Sequence, residues 1–155
     1  MLTASHLRSM LHYDEHSGEF TWLVHAGHMV PGDPAGKDDR GYTTIRINRQ
    51  RYMAHRLAFL YMTGSWPKAF VDHIDRDKGN NRWANLREAT RSQNQANRPG
   101  WGKLPKGVSK SRDRYRATIE VMGRRIRTKS FGTPEEAHDE YMKIARCVHG
   151  DFASA

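Results

Sequence analysis

The sequence predicts an α+β protein made of two small modules in series, and three observations lead there. Between Val71 and Asn97 the residue pattern runs strand, polar loop, strand, helix within about thirty residues. ANRPGWGKLP (96–105) then holds two prolines and two glycines, a linker composition. Beyond it RYRATIEV alternates cleanly and leads, through a turn and RRIRTKSF, to a strongly capped helix. The expected division is 1–98 for the first module, 99–105 for the linker and 106–155 for the second.

The elements follow in order. Residues 3–12 (TASHLRSMLH) read as a short helix with Leu7, Met10 and Leu11 on one face. YDEHSGEFTW gives two extended pieces around Ser17-Gly18. Residues 26–40 are loop by composition. YTTIRI and QRYMA flank Asn48-Arg49, a hairpin signature. HRLAFLYMTG is a short helix carrying Leu57, Leu60 and Tyr61, and Gly64 and Pro67 end it. VDHID is a short strand, DRDKGNNRWA a polar loop, and Leu86 marks a second strand. Thr90 and Gln93 have capping-box spacing, so a helix begins at about Arg91.

In the second module Tyr115, Ala117, Ile119 and Val121 share one strand face. Arg114, Arg116, Thr118 and Glu120 share the other. Met122-Gly123 is a turn. Ile126 points one way, Arg125, Arg127 and Lys129 the other. Thr133 is an N-cap with Pro134 at the first helical position and acids behind it. Ala137, Tyr141, Ile144 and Val148 give that helix its apolar face, and Gly150 ends it.

The chain of 155 residues has 26 Lys and Arg against 17 Asp and Glu, a net charge of +9. That excess calls for a polyanion. No apolar run approaches the ~20 residues of a membrane helix, and MLTASHLRSM lacks a signal-peptide core. The expectations are therefore a nucleic-acid partner, no membrane and a bacterial cytoplasmic setting. Cys147 is the single cysteine, which rules out an internal disulfide or a Cys-x-x-Cys zinc site. It reads as a small apolar helix residue.

Phosphodiester hydrolysis needs an activated water, charge stabilisation at phosphorus and help for the leaving oxygen. A divalent cation can supply the last two. A histidine can supply the base, and an amide can orient that histidine through its second ring nitrogen. Asp72 and His73, adjacent on a strand, leave opposite faces. Asp77, Asn80 and Asn81 read as loop solvation, and the histidines at 6, 12, 16, 25, 28, 138 and 149 as surface residues.

Segment 54–98 (AHRLAFLYMTGSWPKAFVDHIDRDKGNNRWANLREATRSQNQANR) resembles HNH homing-type endonucleases of phages and bacteria, in their His-Asn-Asn form. The resemblance implies a ββα-metal nuclease fold for 1–98, with an N-terminal α/β extension. It implies Asp72 as a metal ligand, His73 as general base, Asn85 as the residue orienting the base, and Asn94 as second metal ligand. Asn94 stands where the literal pattern has a histidine, which favours Mg²⁺ or Mn²⁺ over Zn²⁺. His55, in the family-like AHR, is either a phosphate contact or a core support.

Residues 106–151 resemble the APETALA-type DNA-binding domain through KGVS, YRATIEV, FGTPEEA and HGDF. That resemblance implies a three-stranded antiparallel sheet packed on one helix, its open face in the major groove. DNA contacts are expected from Lys106, Ser109, Ser111, Thr118, Glu120, Arg125 and Arg127. The charge pattern adds Arg114, Arg116 and Lys129. Tyr115 and Arg127 stand where the family has tryptophans, so no base sequence carries over.

The expected whole is a monomeric, metal-dependent endonuclease of phage or mobile-element type. It would cut double-stranded DNA one strand at a time, since the chain has one Asp-His centre. The rivals are a DNA-binding regulator with a degenerate centre and an RNA-binding protein using the same basic surface.

Overall fold

The computed structural model describes residues 2–100, 102–121 and 123–154. Trp101 of the expected linker and Met122 of the expected turn lie outside the described residues. The chain divides into two compact units, Met1–Thr90 and Arg91–Ala155. The division falls ahead of the helix at Arg91, not after it at residue 98. None of the described helices is long and apolar enough to cross a membrane.

In the first unit α1 (Ala4–Met10) starts at Thr3, whose hydroxyl accepts from the His6 amide at 3.2 Å. β1 (Leu11–Tyr13) pairs antiparallel with β2 (Phe20–Trp22), and β2 pairs with the two-residue β3 (Pro34–Ala35). β4 (Lys37–Asp39), β5 (Tyr42–Ile47) and β6 (Gln50–Met53) form a second antiparallel sheet in sequence order. The loop expected over 26–40 thus contains two short strands. They are too brief and too polar to show a period. The β5–β6 turn holds Asn48 and Arg49 at φ 49° and 67°. Two left-handed residues in succession match the right-handed twist of the flanking strands.

α2 (Ala54–Thr63) ends at Gly64 in the left-handed conformation, φ 78°. It buries Leu57, Ala58 and Leu60 against Leu7, Leu11, Ile45 and Ile47, forming one core. β7 (Phe70–His73) and β8 (Leu86–Ala89) make an antiparallel pair with Asp72 opposite Arg87 and His73 opposite Leu86. Val71 and Leu86 join the core, so the His73 face of this ribbon turns inward.

In the second unit α3 (Arg91–Ala96) comes first. β9 (Val108–Ser111), β10 (Arg114–Val121) and β11 (Arg124–Arg127) form an antiparallel sheet in the order β11-β10-β9. α4 (Pro134–His149) has a full capping box between Thr133 and Glu136. Ala137, Tyr141 and Ala145 on α4 meet Ala117 and Ile119 on β10.

Two expectations fail here. Val148 is exposed, because the buried face of α4 runs in steps of four through 137, 141 and 145 and so passes it by. Ile126 is also exposed, because α4 packs on β10 and β9 while β11 lies at the sheet edge. Cys147 is exposed as well. Gly107, at φ 75°, passes so close to Tyr141 that a Cβ there would fall 2.1 Å from the ring.

Candidate functional site

Asp72 and His73 are both 6% exposed, on opposite faces of β7. The antiparallel register sets Asp72 across from Arg87, whose Nε donates to Asp72 Oδ2 at 3.0 Å. This is a charge-assisted bond in a largely buried setting, and it fixes the carboxylate's orientation.

On the inward face the His73 ring meets two others. His55 lies edge-on with centroids 5.0 Å apart, and Tyr42 sits 6.3 Å away. The Lys78 ammonium lies 4.8 Å from the centre of the Tyr42 ring. His73 Nε2 stands 3.2 Å from Oδ1 of Asn81. The Asn81 amide is oriented by its other end: Nδ2 donates to the Gly79 carbonyl at 3.0 Å. A carbonyl needs a donor, so the amide oxygen must face the histidine. His73 Nε2–H therefore donates, and in the neutral ring the lone pair sits on Nδ1.

Asn81 was expected to be loop solvation. It is instead 3% exposed and held from behind by the first strands of the chain. Tyr13 Oη donates to the Asn81 carbonyl at 2.7 Å. Burial above all, then the charges of Glu15 and Asp14, raises the Tyr13 phenol, so it stays a donor. The Trp83 amide donates to the Glu15 carbonyl at 2.9 Å. The only sequence signal for Asn81 was the Asn-Asn pair ahead of Arg82 and Trp83.

Asn85, expected to orient the base, makes its side-chain bonds within the 74–85 loop. Its Nδ2 donates to Asp75 Oδ1 at 2.9 Å and to the Asn80 carbonyl at 2.8 Å, and its Oδ1 accepts from the Asp75 amide at 3.1 Å. It closes the 74–85 loop on itself. Burial by itself would raise the Asp75 carboxyl. Hydrogen bonds from Asn85, Asn80 and the Asp77 amide, with His73 nearby, bring it below the usual range.

His55 is 8% exposed, and its Nδ1 has no hydrogen-bond partner among the described residues. Burial first, then the charges of His73 and Arg56, pushes it from 6.5 down to about 3. A neutral ring brings no charge to a phosphate. Its burial and its edge-on contact with the His73 ring suit the packing role. Asn94 is half-buried on α3, in the second unit, and its role rests on the resemblance alone.

Among the described residues no group of three or more His, Cys, Asp or Glu is arranged to hold a metal. A hard cation such as Mg²⁺ does not need one. It binds through one or two carboxylates, retains waters and takes substrate phosphates. Asp72 fits such a donor set.

On the second unit, register places Ser111 beside Arg114, Ser109 beside Arg116, Arg127 beside Thr118 and Arg125 beside Glu120, all on the face opposite Ala117 and Ile119. Arg114 and Arg116 donate to the Ser130 carbonyl and hydroxyl at 3.0 and 2.7 Å. Ser109 Oγ lies 3.4 Å from the Arg116 carbonyl. Lys129 falls past the end of β11, its ammonium 5.7 Å from the Phe131 ring centre. Lys106, expected on DNA, turns inward instead. Its ammonium donates to the carbonyls of Ala96 and Ser154, the latter at 2.9 Å, and lies 3.4 Å from the Ser154 hydroxyl. An ammonium has three donors, so Lys106 here ties down backbone.

Residues 52–96 match the HNH endonuclease family. An uncharacterised HNH endonuclease of Acanthamoeba polyphaga mimivirus is 37% identical over 103 residues, 64% of this chain and 54% of the relative. A protein named as an SPbeta prophage-derived HNH homing endonuclease of Bacillus subtilis is 40% identical over 62 residues, 39% of this chain and 36% of the relative. The chain thus spans about half of one relative and about a third of the other. No solved structure matches. The stretch 52–96 is therefore what this chain shares with HNH endonucleases, and it carries Asp72, His73, Asn81, Asn85 and Asn94.

Proposed function

We propose that the chain is a metal-dependent endonuclease that hydrolyses phosphodiester bonds in double-stranded DNA and nicks one strand per engagement. The observation that carries this reading is the state of His73. Its Nε2–H is bonded to Asn81, so the lone pair lies on Nδ1, and Asp72 is the next residue.

His73 Nδ1 accepts the proton of a water as that water attacks phosphorus. Asn81 holds the ring in one orientation through that step. A divalent cation, Mg²⁺ or Mn²⁺, bound through Asp72, would supply charge stabilisation for the phosphate and the leaving oxygen. Arg87 keeps the Asp72 carboxylate aimed. The basic face of β10 and β11 gives the protein its hold on duplex phosphates.

The test is cleavage of supercoiled plasmid by the full chain with Mg²⁺. Wild type should accumulate open circles before linear product. His73→Ala should lose about 10²–10⁴-fold in rate with duplex affinity retained. Asp72→Ala should be partly rescued by high Mg²⁺, and His73→Ala should not. Wild-type cleavage by His73→Ala would remove the assignment. Linear product appearing at once, both strands cut at matched rates at low enzyme, would remove the nicking step.

A further inference from the structure

We infer that Asn81 is the positioning residue for the His73 base, and that the β1–β2 hairpin belongs to the cleavage machinery because it holds Asn81 in place. The inference rests on the proposed base role of His73. It starts from the chain of contacts described above: His73 Nε2 to Asn81 Oδ1, Asn81 Nδ2 to Gly79, and Tyr13 to the Asn81 carbonyl.

Each link limits a different freedom. The Gly79 carbonyl prevents the Asn81 amide from flipping. The amide oxygen then fixes the proton on Nε2 and stops the imidazole from rotating about its χ2 angle. Tyr13 and the backbone of Gly18 fix where the Asn81 main chain can lie. An unrestrained histidine would present Nδ1 to the water for only part of the time. Asn81 spends its side-chain oxygen on His73 and its side-chain nitrogen on Gly79, so it acts through the histidine. Asn85 shapes the loop that delivers Asn81 but makes its own side-chain bonds to Asp75 and Asn80.

Two substitutions separate positioning from loop architecture. Asn81→Leu removes both side-chain bonds. Asn81→Asp keeps an acceptor for His73 Nε2–H but cannot donate to the Gly79 carbonyl. The full chain is assayed for single-turnover nicking with Mg²⁺ and for duplex affinity in EDTA. The ring N–H proton of His73 is followed by NMR in ¹⁵N-histidine-labelled protein, assigned by its loss in His73→Gln. Asn81→Leu should nick about 10- to 100-fold more slowly, the usual cost of losing such an orienting partner, with affinity unchanged. Asn81→Asp should stay within about tenfold of wild type on the same scale. The Nε2–H resonance should be present in wild type and Asn81→Asp, and absent in Asn81→Leu. Equal losses in Leu and Asp variants would make Asn81 a loop residue and overturn the inference. So would a wild-type rate in Asn81→Leu while His73→Ala is inactive. A wild-type protein with no proton held at His73 Nε2 would overturn it whether or not either variant folds. Wild-type nicking by His73→Ala would instead remove the base assignment on which the inference rests.

Discussion

A Cβ built on Gly18 would lie 2.4 Å from the carbonyl carbon of Asn81, inside any real contact distance. Gly18 also has φ 78°, which a side chain rarely adopts. The turn between β1 and β2 therefore fits against the 81–82 backbone only as glycine. Gly18→Ala should displace Asn81 and with it the His73 ring, although residue 18 is far from His73 in sequence. The expected outcome is a folded protein with slowed nicking and nearly unchanged duplex affinity. Circular dichroism, a nicking rate and a binding isotherm check the three parts. An unaltered rate would show that the turn and the 81–82 loop can separate without consequence.

The neutral burial of His55 gives a signed pH dependence. The folded-state value near 3 lies below the ordinary 6.5, so the unfolded chain takes up a proton that the folded one refuses. The stabilisation is fully present above pH ~6.5 and is lost as pH falls from there toward ~3. At pH 5 the loss should reach about 2 kcal/mol, from ~1.4 kcal/mol per pH unit. His55→Phe keeps a ring in the pocket and removes the titration. Urea midpoints at pH 7.5 and 5 should fall more in wild type than in His55→Phe. Equal falls would mean that His55 takes up a proton without unfolding.

Much of this fold was legible, and the misses share a cause. Asn48-Arg49 announced a turn with two left-handed residues. Thr133-Pro134-Glu135-Glu136 announced a capped helix, and alternation in 114–121 announced a half-buried strand. These are local signals, carried by neighbours within four residues. The short strand that carries Asp72 and His73 was legible as well.

Asn81 was not legible, because its partners come from residues 13, 18 and 73, joined by tertiary packing. The side-chain bonds of Asn85, to Asp75 and Asn80, were hidden for the same reason. The family resemblance implies an amide near His73, and the folded loop brings Asn81 there. Ile126 and Val148 fail differently. Periodicity assigns a residue to a face and does not say whether another element covers that face.

Gly107 should be as intolerant as Gly18, with the opposite functional signature. A Cβ there would enter the Tyr141 ring, which lies between α4 and β10. Gly107→Ala should loosen the second unit and weaken duplex binding. The His73 ring N–H signal of the first unit should remain. Proteolysis sites appearing in 106–150 but not in 1–90 would localise the damage. Intact binding in Gly107→Ala would mean that the sheet is not the DNA-holding surface.

The sheet face itself carries the last prediction. Arg125 stands directly across from Glu120, and Arg127 across from Thr118. Arg114 and Arg116 are braced by Ser130. Braced guanidiniums suit fixed phosphate contacts, whereas Arg125 and Arg127 sit on an edge strand with room to reach bases. Arg116→Ala should weaken binding to all duplexes alike and lower the salt slope by about one. Arg127→Ala should cost about 1–3 kcal/mol on a preferred sequence and less on others, if it reads a base. Glu120→Ala should tighten binding to random duplex, since it removes the carboxylate facing the phosphates. Titrations across a salt series, on selected and random DNA, measure all three. Identical slopes and affinities for the three variants would take DNA off this face. Tightening by Glu120→Ala, together with a sequence-independent loss in Arg127→Ala, would keep the face as a phosphate holder and remove base reading from it.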